Sequence, residues 1–226
     1  MDGMIDPDPA KLPSRTTLVG RLVSLVPLDA SAHATALYEA SHGEGKERLW
    51  RYLFDGPFPN RPAFDASLKQ KAVSEDPLYF AILDNSSGIA VGHAAYLRIT
   101  PAHRVIEVGS ILYTPGLQRT AGATETMYLM ARHAFEDLGN RRYEWKCDAL
   151  NAPSRRAALR LGFQFEGIFR QHMIIKGRNR DTAWFAMLDS DWPRRKANFE
   201  RWLDPSNFDA HGNQKESLSR LNAPGA

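Results

Sequence analysis

The sequence contains one cysteine, Cys147, which excludes an internal disulfide. A single thiol fits a reducing compartment, and we expect a cytoplasmic protein. No run of about 18 apolar residues occurs and no basic segment leads into an apolar one, so we expect a soluble chain that is not exported. No two histidines are spaced i, i+4, and cysteine and histidine do not cluster. We therefore expect no structural or catalytic metal.

An excess of charge of one sign is also lacking. The chain has 29 Lys and Arg against 26 Asp and Glu, a net charge of only +3. This balance does not indicate nucleic-acid binding. A length of 226 residues with 43% hydrophobic residues predicts one domain with extensions, large enough for a core.

The segment around residues 105–139 organises the chain. Residues 105–113 are apolar and predict a strand, which the turn pair Pro115-Gly116 ends. A helix is predicted from Ala121 to Gly139, because its apolar residues recur at i, i+3, i+4 and i+7. The residues between turn and helix are small, with one basic side chain. Free N–H groups at such a helix start suit a pyrophosphate.

The remaining elements follow from periodicity and turn signals. Strands are predicted at residues 17–28, 79–83, 89–99, 142–149, 168–176 and 182–188. Helices are predicted at residues 34–40, 46–54, 63–73, 153–161 and 191–203. This order predicts one mixed α/β sheet with helices on both faces.

The strand–loop–helix unit is followed by Asn151-Ala-Pro-Ser154, by AALRLGF at residues 157–163 and by Glu166-Gly167. In this order the motifs resemble the GNAT acetyltransferase superfamily, and the RimJ/RimL-type branch in particular, which acetylates protein N-termini and related amines. The resemblance covers residues 17–192 and implies the GNAT fold. It leaves a flexible arm at residues 1–16, and at residues 193–226 a C-terminal helix with a polar tail, expected to be disordered after Pro205.

The resemblance implies acetyl-CoA as cofactor and coenzyme A as product. The pyrophosphate is expected at Gln118, Arg119, Thr120, Ala121, Gly122 and Ala123, where Ala121 occupies a position that is usually glycine. Ile111, Leu112 and Tyr113 are expected to line the cofactor, and Asn151 to bind the pantetheine arm. Ser154 is the predicted proton donor to the leaving thiolate. The alternatives are an exposed turn, plain core residues, and simple helix capping by Asn151.

Two residues are candidates for the base that takes the amine proton. Glu107 lies four residues before Ile111, so alternation places both on one face of the strand. His172 lies on a strand that flanks the acceptor channel in the family, and its ordinary pKa suits a base. A structural role is the alternative for each of them.

The predicted function is acetyl-CoA-dependent N-acetyl transfer to a primary amine, foremost a peptide N-terminal α-amine, by direct attack in a ternary complex. The alternatives are a small-molecule (metabolite or antibiotic) N-acetyltransferase and a non-catalytic domain that binds acyl-CoA or RNA. Acceptor specificity is expected in residues 46–73 and in the hairpin around Gly177. The predicted partners are acetyl-CoA and an amine acceptor, without metal or membrane, and a homodimer is one possibility.

Overall fold

The computed structural model describes residues 8–223. Within them, the strands are β1 (Leu18–Val19), β2 (Val23–Pro27), β3 (Leu78–Asp84), β4 (Ala90–Thr100), β5 (Val105–Tyr113), β6 (Arg142–Asp148), β7 (Gln164–Ile175) and β8 (Arg178–Leu188). The α-helices are α1 (Ala30–Ser41), α2 (Arg61–Val73), α3 (Ala121–Arg132), α4 (Ala152–Arg160), α5 (Trp192–Leu203) and α6 (Leu218–Leu221). A π-helical turn, His133–Asp137, continues α3.

All eight strands form one sheet in the order β1-β2-β3-β4-β5-β6-β8-β7. Neighbouring strands are antiparallel except for β5 and β6, which run parallel and are connected through α3. A parallel pair needs such a crossover, because its connection must return along the sheet. The predicted mixed sheet is confirmed.

Helices cover the sheet on both faces. On one face, which we call the α3 face, residues of α3, α4 and α5 form the larger core with Ile106 and Val108 of β5. On the opposite face, the α1–α2 face, the two early helices pack over Ala81, Ala90 and Leu112. The end of β5 therefore lies between two hydrophobic layers.

The strand predicted at residues 17–28 is in fact two short strands, β1 and β2, joined by a tight turn. The turn is held by the buried Glu125 carboxylate of α3, which accepts the N–H groups of Arg21, Leu22 and Val23 at 3.0, 2.6 and 2.9 Å. A Cβ atom at Gly20 would lie 2.6 Å from this carboxylate, so the turn needs glycine there. Sequence periodicity could not reveal this tertiary contact.

The helix predicted at residues 46–54 is a single 3-10 turn, Glu47–Trp50, within an otherwise irregular segment. Trp50 is fully buried and donates its indole N–H to the Ser41 carbonyl at 2.9 Å. The segment is therefore fixed by one aromatic anchor and not by helix periodicity.

The prediction of a disordered tail after Pro205 is wrong for residues 205–223. Leu218 and Leu221 are buried in the larger core, and Trp202 donates its indole N–H to Gln214 at 2.7 Å. Residues 1–7 of the predicted flexible arm lie outside the described residues. Ala10 of the arm is buried and donates its N–H to the Pro101 carbonyl at 3.1 Å, so the arm is attached to the domain at this residue.

Candidate functional site

The central feature of the site is a split between β5 and β6. Their parallel pairing extends from Val105 and Arg142 to Val108 and Trp145, and no further pair of these strands is recorded in residues 8–223. β5 itself continues to Tyr113 and β6 to Asp148. A wedge therefore opens between the two strand ends, beside residues 109–113. It leaves β5 backbone groups available to a ligand, as a thioester-bearing cofactor requires.

A β-bulge in β5 sets the direction of the side chains at this wedge. Ser110 has a φ of +48°, and the register with β4 shifts between the pairs Ala95–Gly109 and His93–Leu112. As a result, Val108 contributes to the core on the α3 face and Leu112 to the core on the α1–α2 face, although they are four residues apart. Because an extra residue reverses the alternation, Glu107 and Ile111 lie on opposite faces. The predicted shared face is wrong.

The predicted pyrophosphate loop lies at the start of α3, where β5 ends. Thr120 caps the helix by accepting the Ala123 N–H at 3.2 Å, and Gln118 donates its side-chain amide to the Tyr113 carbonyl at 2.9 Å. Ala121 is the first helical residue, and the left-handed conformation falls on Arg119, with a φ of +63°. The loop therefore tolerates alanine in place of glycine at residue 121. The first-turn N–H groups and the exposed Arg119 suit phosphate.

Gly122 has a packing role. A Cβ atom there would lie 2.9 Å from Val23 of β2, so only glycine allows α3 to approach the sheet this closely. The absence of a side chain at this residue is explained by the contact between helix and strand, independently of any ligand.

Asn151 and Ser154 begin α4 next to the end of β6. The Asn151 side chain accepts the Ser154 N–H at 3.2 Å, so it does cap the helix. Trp145 donates its indole N–H to the Ser154 hydroxyl at 3.0 Å. Because an indole N–H can only donate, the hydroxyl must accept and keeps its own hydrogen for donation. The nearby Cys147 thiol is buried, and this burial raises its pKa although the Ser154 hydrogen bond acts against the shift.

Glu107 lies in a buried group of charges on the α1–α2 face. Its carboxylate is 2.8 Å from the Arg98 guanidinium and 3.0 Å from the Lys146 ammonium, and Lys146 is also 2.7 Å from Glu144. The ammonium lies 3.8 Å from the centre of the Trp184 ring. Burial raises the pKa of Glu107, although Lys146 and Arg98 act against it. This full set of partners is typical of a structural carboxylate.

His172 lies on the exposed strand β7, and its Nδ1 is 2.9 Å from the Thr182 hydroxyl. Partial burial lowers its pKa, as do the cations Arg180, Arg98 and Lys146. The ring is therefore neutral near pH 7, although its position at the sheet edge gives it little enclosure.

The structure thus brings some predicted residues together and separates others. The cofactor loop, the end of β5 and the start of α4 all border the wedge. By contrast, Ser154 belongs to the α3 face through its contact with Trp145, whereas Glu107 lies on the opposite face of the sheet, beside Arg98 and Lys146. Sequence reasoning missed Arg98 and Lys146, because the ion pairs join three different strands. Gly109 next to Ser110 was an available signal for the bulge, since glycine inside a strand often marks one.

Comparison with known proteins gives consistent results. A family model described as an acetyltransferase (GNAT) domain matches residues 23–164. The chain is 48% identical to a GCN5-related N-acetyltransferase from Brucella melitensis, with a TM-score of 0.93, and the match covers 95% of this chain and 97% of that one. No curated protein matches it.

Two more distant structures share the fold at 19% identity and a TM-score of 0.66. One is a candidate ribosomal-protein-serine acetyltransferase from Vibrio cholerae, covering 76% of this chain and 97% of its own. The other is the microcin C7 self-immunity acetyltransferase MccE in complex with acetyl-CoA and AMP, covering 78% of this chain and 98% of its own.

Two further findings concern metals and membranes. Among residues 8–223, no three His, Cys, Asp or Glu side chains are grouped closely enough to hold a metal ion. Over the same residues, no helix has the length and apolar character that a membrane crossing needs.

Proposed function

Because this chain belongs to the GNAT family of acetyltransferases, which use acetyl-CoA, we propose that it acetylates the α-amine at the N-terminus of a peptide or protein. The amine attacks directly while both substrates are bound. The observation that carries the proposal is the wedge between β5 and β6, which opens between the starts of α3 and α4.

The residues around the wedge fit acetyl-CoA. The first turn of α3, with Arg119 beside it, offers N–H groups and positive charge to a pyrophosphate. The backbone of residues 111–113 is left unpaired toward β6 and can hold the pantetheine arm. When bound there, acetyl-CoA supplies an activated acyl group. The chain's own part is to hold the amine against it, to accept the amine proton, and to donate a proton through Ser154.

A contact between the two segments in which specificity was predicted supports an acceptor side on the α1–α2 face. Lys176, in the turn between β7 and β8, donates to the carbonyls of Trp50 and Asp55 at 2.8 and 2.9 Å. The hairpin and the irregular segment before α2 are thereby joined over the α1–α2 face. This arrangement supports an acceptor that enters from that face, opposite α3. The Vibrio cholerae structure is described as a candidate ribosomal-protein-serine acetyltransferase, and the fold it shares with this chain favours a peptide acceptor.

A small-molecule acceptor is the second candidate. It is favoured by the fold shared with MccE, whose structure is a complex with acetyl-CoA and AMP. An RNA-binding domain would bind through exposed arginines, and it is disfavoured because two arginines between residues 141 and 160 are engaged within the chain. Arg142 bonds to Glu144 and Glu166, and Arg160 to Thr124.

The proposal is tested with the full chain. Calorimetry with coenzyme A measures cofactor binding, and we expect a dissociation constant below about 1 mM. A panel of peptides and small amines is then incubated with acetyl-CoA, while thiol release and acceptor mass are followed. Acetylated peptide N-termini support the proposal, whereas acetylation of small molecules alone supports the second candidate. The absence of coenzyme A binding would contradict both.

Several expectations stay predictions. These are the cytoplasmic location, the homodimer, the domain limits at residues 17 and 192, and the individual roles of Glu107, His172, Asn151 and Ser154.

A further inference from the structure

A cavity of about 180 Å³ lies on the α1–α2 face, next to the bulge of β5. It is lined by Leu53, Phe54, Asp55, Lys71, Tyr79, His93 and Ser110. Ser110 is the bulge residue itself, at the point where β5 leaves β6. The cavity therefore reaches the wedge from the side opposite α3.

His93 is the distinctive residue of this cavity. Only 1% of its surface is exposed, yet neither ring nitrogen makes a hydrogen bond of normal geometry with any residue in 8–223. Its ring contacts Tyr79 edge-on, with 5.6 Å between ring centres. Buried polar atoms in native proteins nearly always have a partner, and one without a partner calls for an explanation. A ligand group entering the cavity would supply the missing hydrogen bond.

Burial, more than any neighbouring charge, keeps the His93 ring neutral. Burial, followed by the Lys71 ammonium, lowers the pKa of His93 to about 3, while Asp55 and the Ser110 backbone act in the opposite direction. Asp55 and Lys71 form an ion pair at 2.6 Å and so add little net charge. Burial raises the pKa of the remaining titratable neighbour, Tyr79. Near pH 7 the ring thus presents one N–H donor and one unprotonated nitrogen.

We propose that this cavity receives the amine-bearing end of the acceptor and that the unprotonated ring nitrogen of His93 takes the amine proton during acetyl transfer. This rests on the proposed function. The amine nitrogen bonds to the thioester carbonyl carbon and loses one proton to His93, while the C–S bond breaks with its electron pair on sulfur. The thiolate then takes up one proton, and His93 gives its proton back, so none is consumed overall.

The size of the cavity defines the acceptor class. Pockets that enclose a drug-sized ligand have volumes of about 300–1,000 Å³, so a cavity of about 180 Å³ encloses only one end of an acceptor. The acceptor therefore presents a slim end that carries a primary amine, and its bulk stays outside. Glu107 is held by two cations, and His172 lies at the sheet edge. His93 is enclosed, and neither of its ring nitrogens has a hydrogen bond of normal geometry among the described residues.

The first test needs no variant. Protein with isotope-labelled histidine is saturated with coenzyme A and titrated with n-propylamine, while the ring nitrogen resonances of His93, assigned through bonds, are followed by NMR. We expect n-propylamine to shift the His93 ring resonances and to leave those of His133 unchanged. His133 is a matched control, because it is also buried with an unpartnered ring nitrogen, but it lies on α3's continuation. If the protein binds coenzyme A but the His93 resonances do not shift, this inference is overturned and the proposed function is not.

The second test is kinetic. His93→Gln should lower kcat for acetylation of n-propylamine or of the best peptide by roughly 10²-fold or more, the usual contribution of a positioned proton acceptor. Its coenzyme A affinity should equal that of the unaltered protein, which also shows that the variant folds. His133→Gln should keep the original kcat. An unchanged kcat in His93→Gln would overturn the role of His93. If the unaltered protein does not bind coenzyme A, the proposed function is overturned instead.

Discussion

Lys146 lies 3.0 Å from the carboxylate of Glu107 and 2.7 Å from that of Glu144, so one buried ammonium joins two strands that run parallel. The two carboxylates are direct register partners, and without the ammonium they would repel each other. This ion-pair group lies one residue before the last pair of β5 and β6, Val108 and Trp145. It therefore holds the two strands together at the point where the wedge begins.

The first prediction follows from this link. Glu107→Gln should lower the free energy of unfolding by about 1–3 kcal/mol, because Arg98 and Lys146 lose an ionised partner while Glu144 remains. Acetyl transfer by the folded variant should continue at a similar rate. Thermal unfolding and turnover, measured side by side, check this. If Glu107→Gln instead loses turnover roughly 10²–10⁴-fold while its stability is unchanged, Glu107 is the base. If His172→Ala shows that loss, His172 is the base.

Ser154 provides the second prediction. Ser154→Ala removes the hydroxyl that can donate to the departing sulfur, and turnover should fall roughly 10²-fold, at the low end of the range for proton donors. Coenzyme A affinity should change little. Trp145→Phe is the matched control, because it removes the same 3.0 Å hydrogen bond but keeps the hydroxyl. If both variants lose turnover equally, the hydrogen bond and not the hydroxyl proton is what the reaction needs.

The sequence predicted β5, α3 and the mixed sheet well, because their patterns are local. The apolar run that predicts β5 and the periodicity that predicts α3 each lie within the residues that form the element. The features that the sequence could not predict depend on contacts between distant segments. Glu107 was placed on the wrong side of Ile111 because one bulge residue, Ser110, reverses the alternation. His93 was overlooked because its surroundings come from α2, β3, β5 and an irregular segment.

The third prediction concerns the cofactor loop. Gly122→Asp cannot test phosphate binding cleanly, since a Cβ atom there would press on Val23. Ala121→Asp is better, because a carboxylate in the first turn of a helix stabilises it but repels a bound phosphate. Coenzyme A affinity should fall about 10–100-fold, the effect of roughly 1–3 kcal/mol, while thermal stability holds. Ala121→Asn is the uncharged control, and equal affinities for the two variants would place the phosphates elsewhere.

The fourth prediction tests the ordered C-terminal segment. Leu218 is fully buried in the larger core, so Leu218→Ala should lower the free energy of unfolding by about 2–5 kcal/mol. Leu159→Ala, at a leucine that is 52% exposed, should change it by less than about 0.5 kcal/mol. Denaturant unfolding measures both. Equal, small effects would mean that residues 205–223 do not pack against the domain in solution.

The last prediction is a pH dependence of stability from His93. Its pKa falls from the ordinary 6.5 to about 3 in the folded protein, where burial and Lys71 disfavour the charged ring. Between these values the unfolded chain binds the proton and the folded one does not, so stability must decrease as the pH falls through this window. The slope from this one group approaches about 1.4 kcal/mol per pH unit well below pH 6.5.

Replacing the histidine isolates this contribution. Unfolding by denaturant is measured from pH 7 down to pH 4 for the unaltered protein, for His93→Gln and for His133→Gln. The decline should be shallower in His93→Gln by up to about 1.4 kcal/mol per pH unit, because glutamine takes no proton in either state. Above pH 7 the curves of His93→Gln and the unaltered protein should run parallel. Parallel curves below pH 6 would show that folding leaves the pKa of His93 unchanged, and so that the ring is not enclosed in solution as the structure places it.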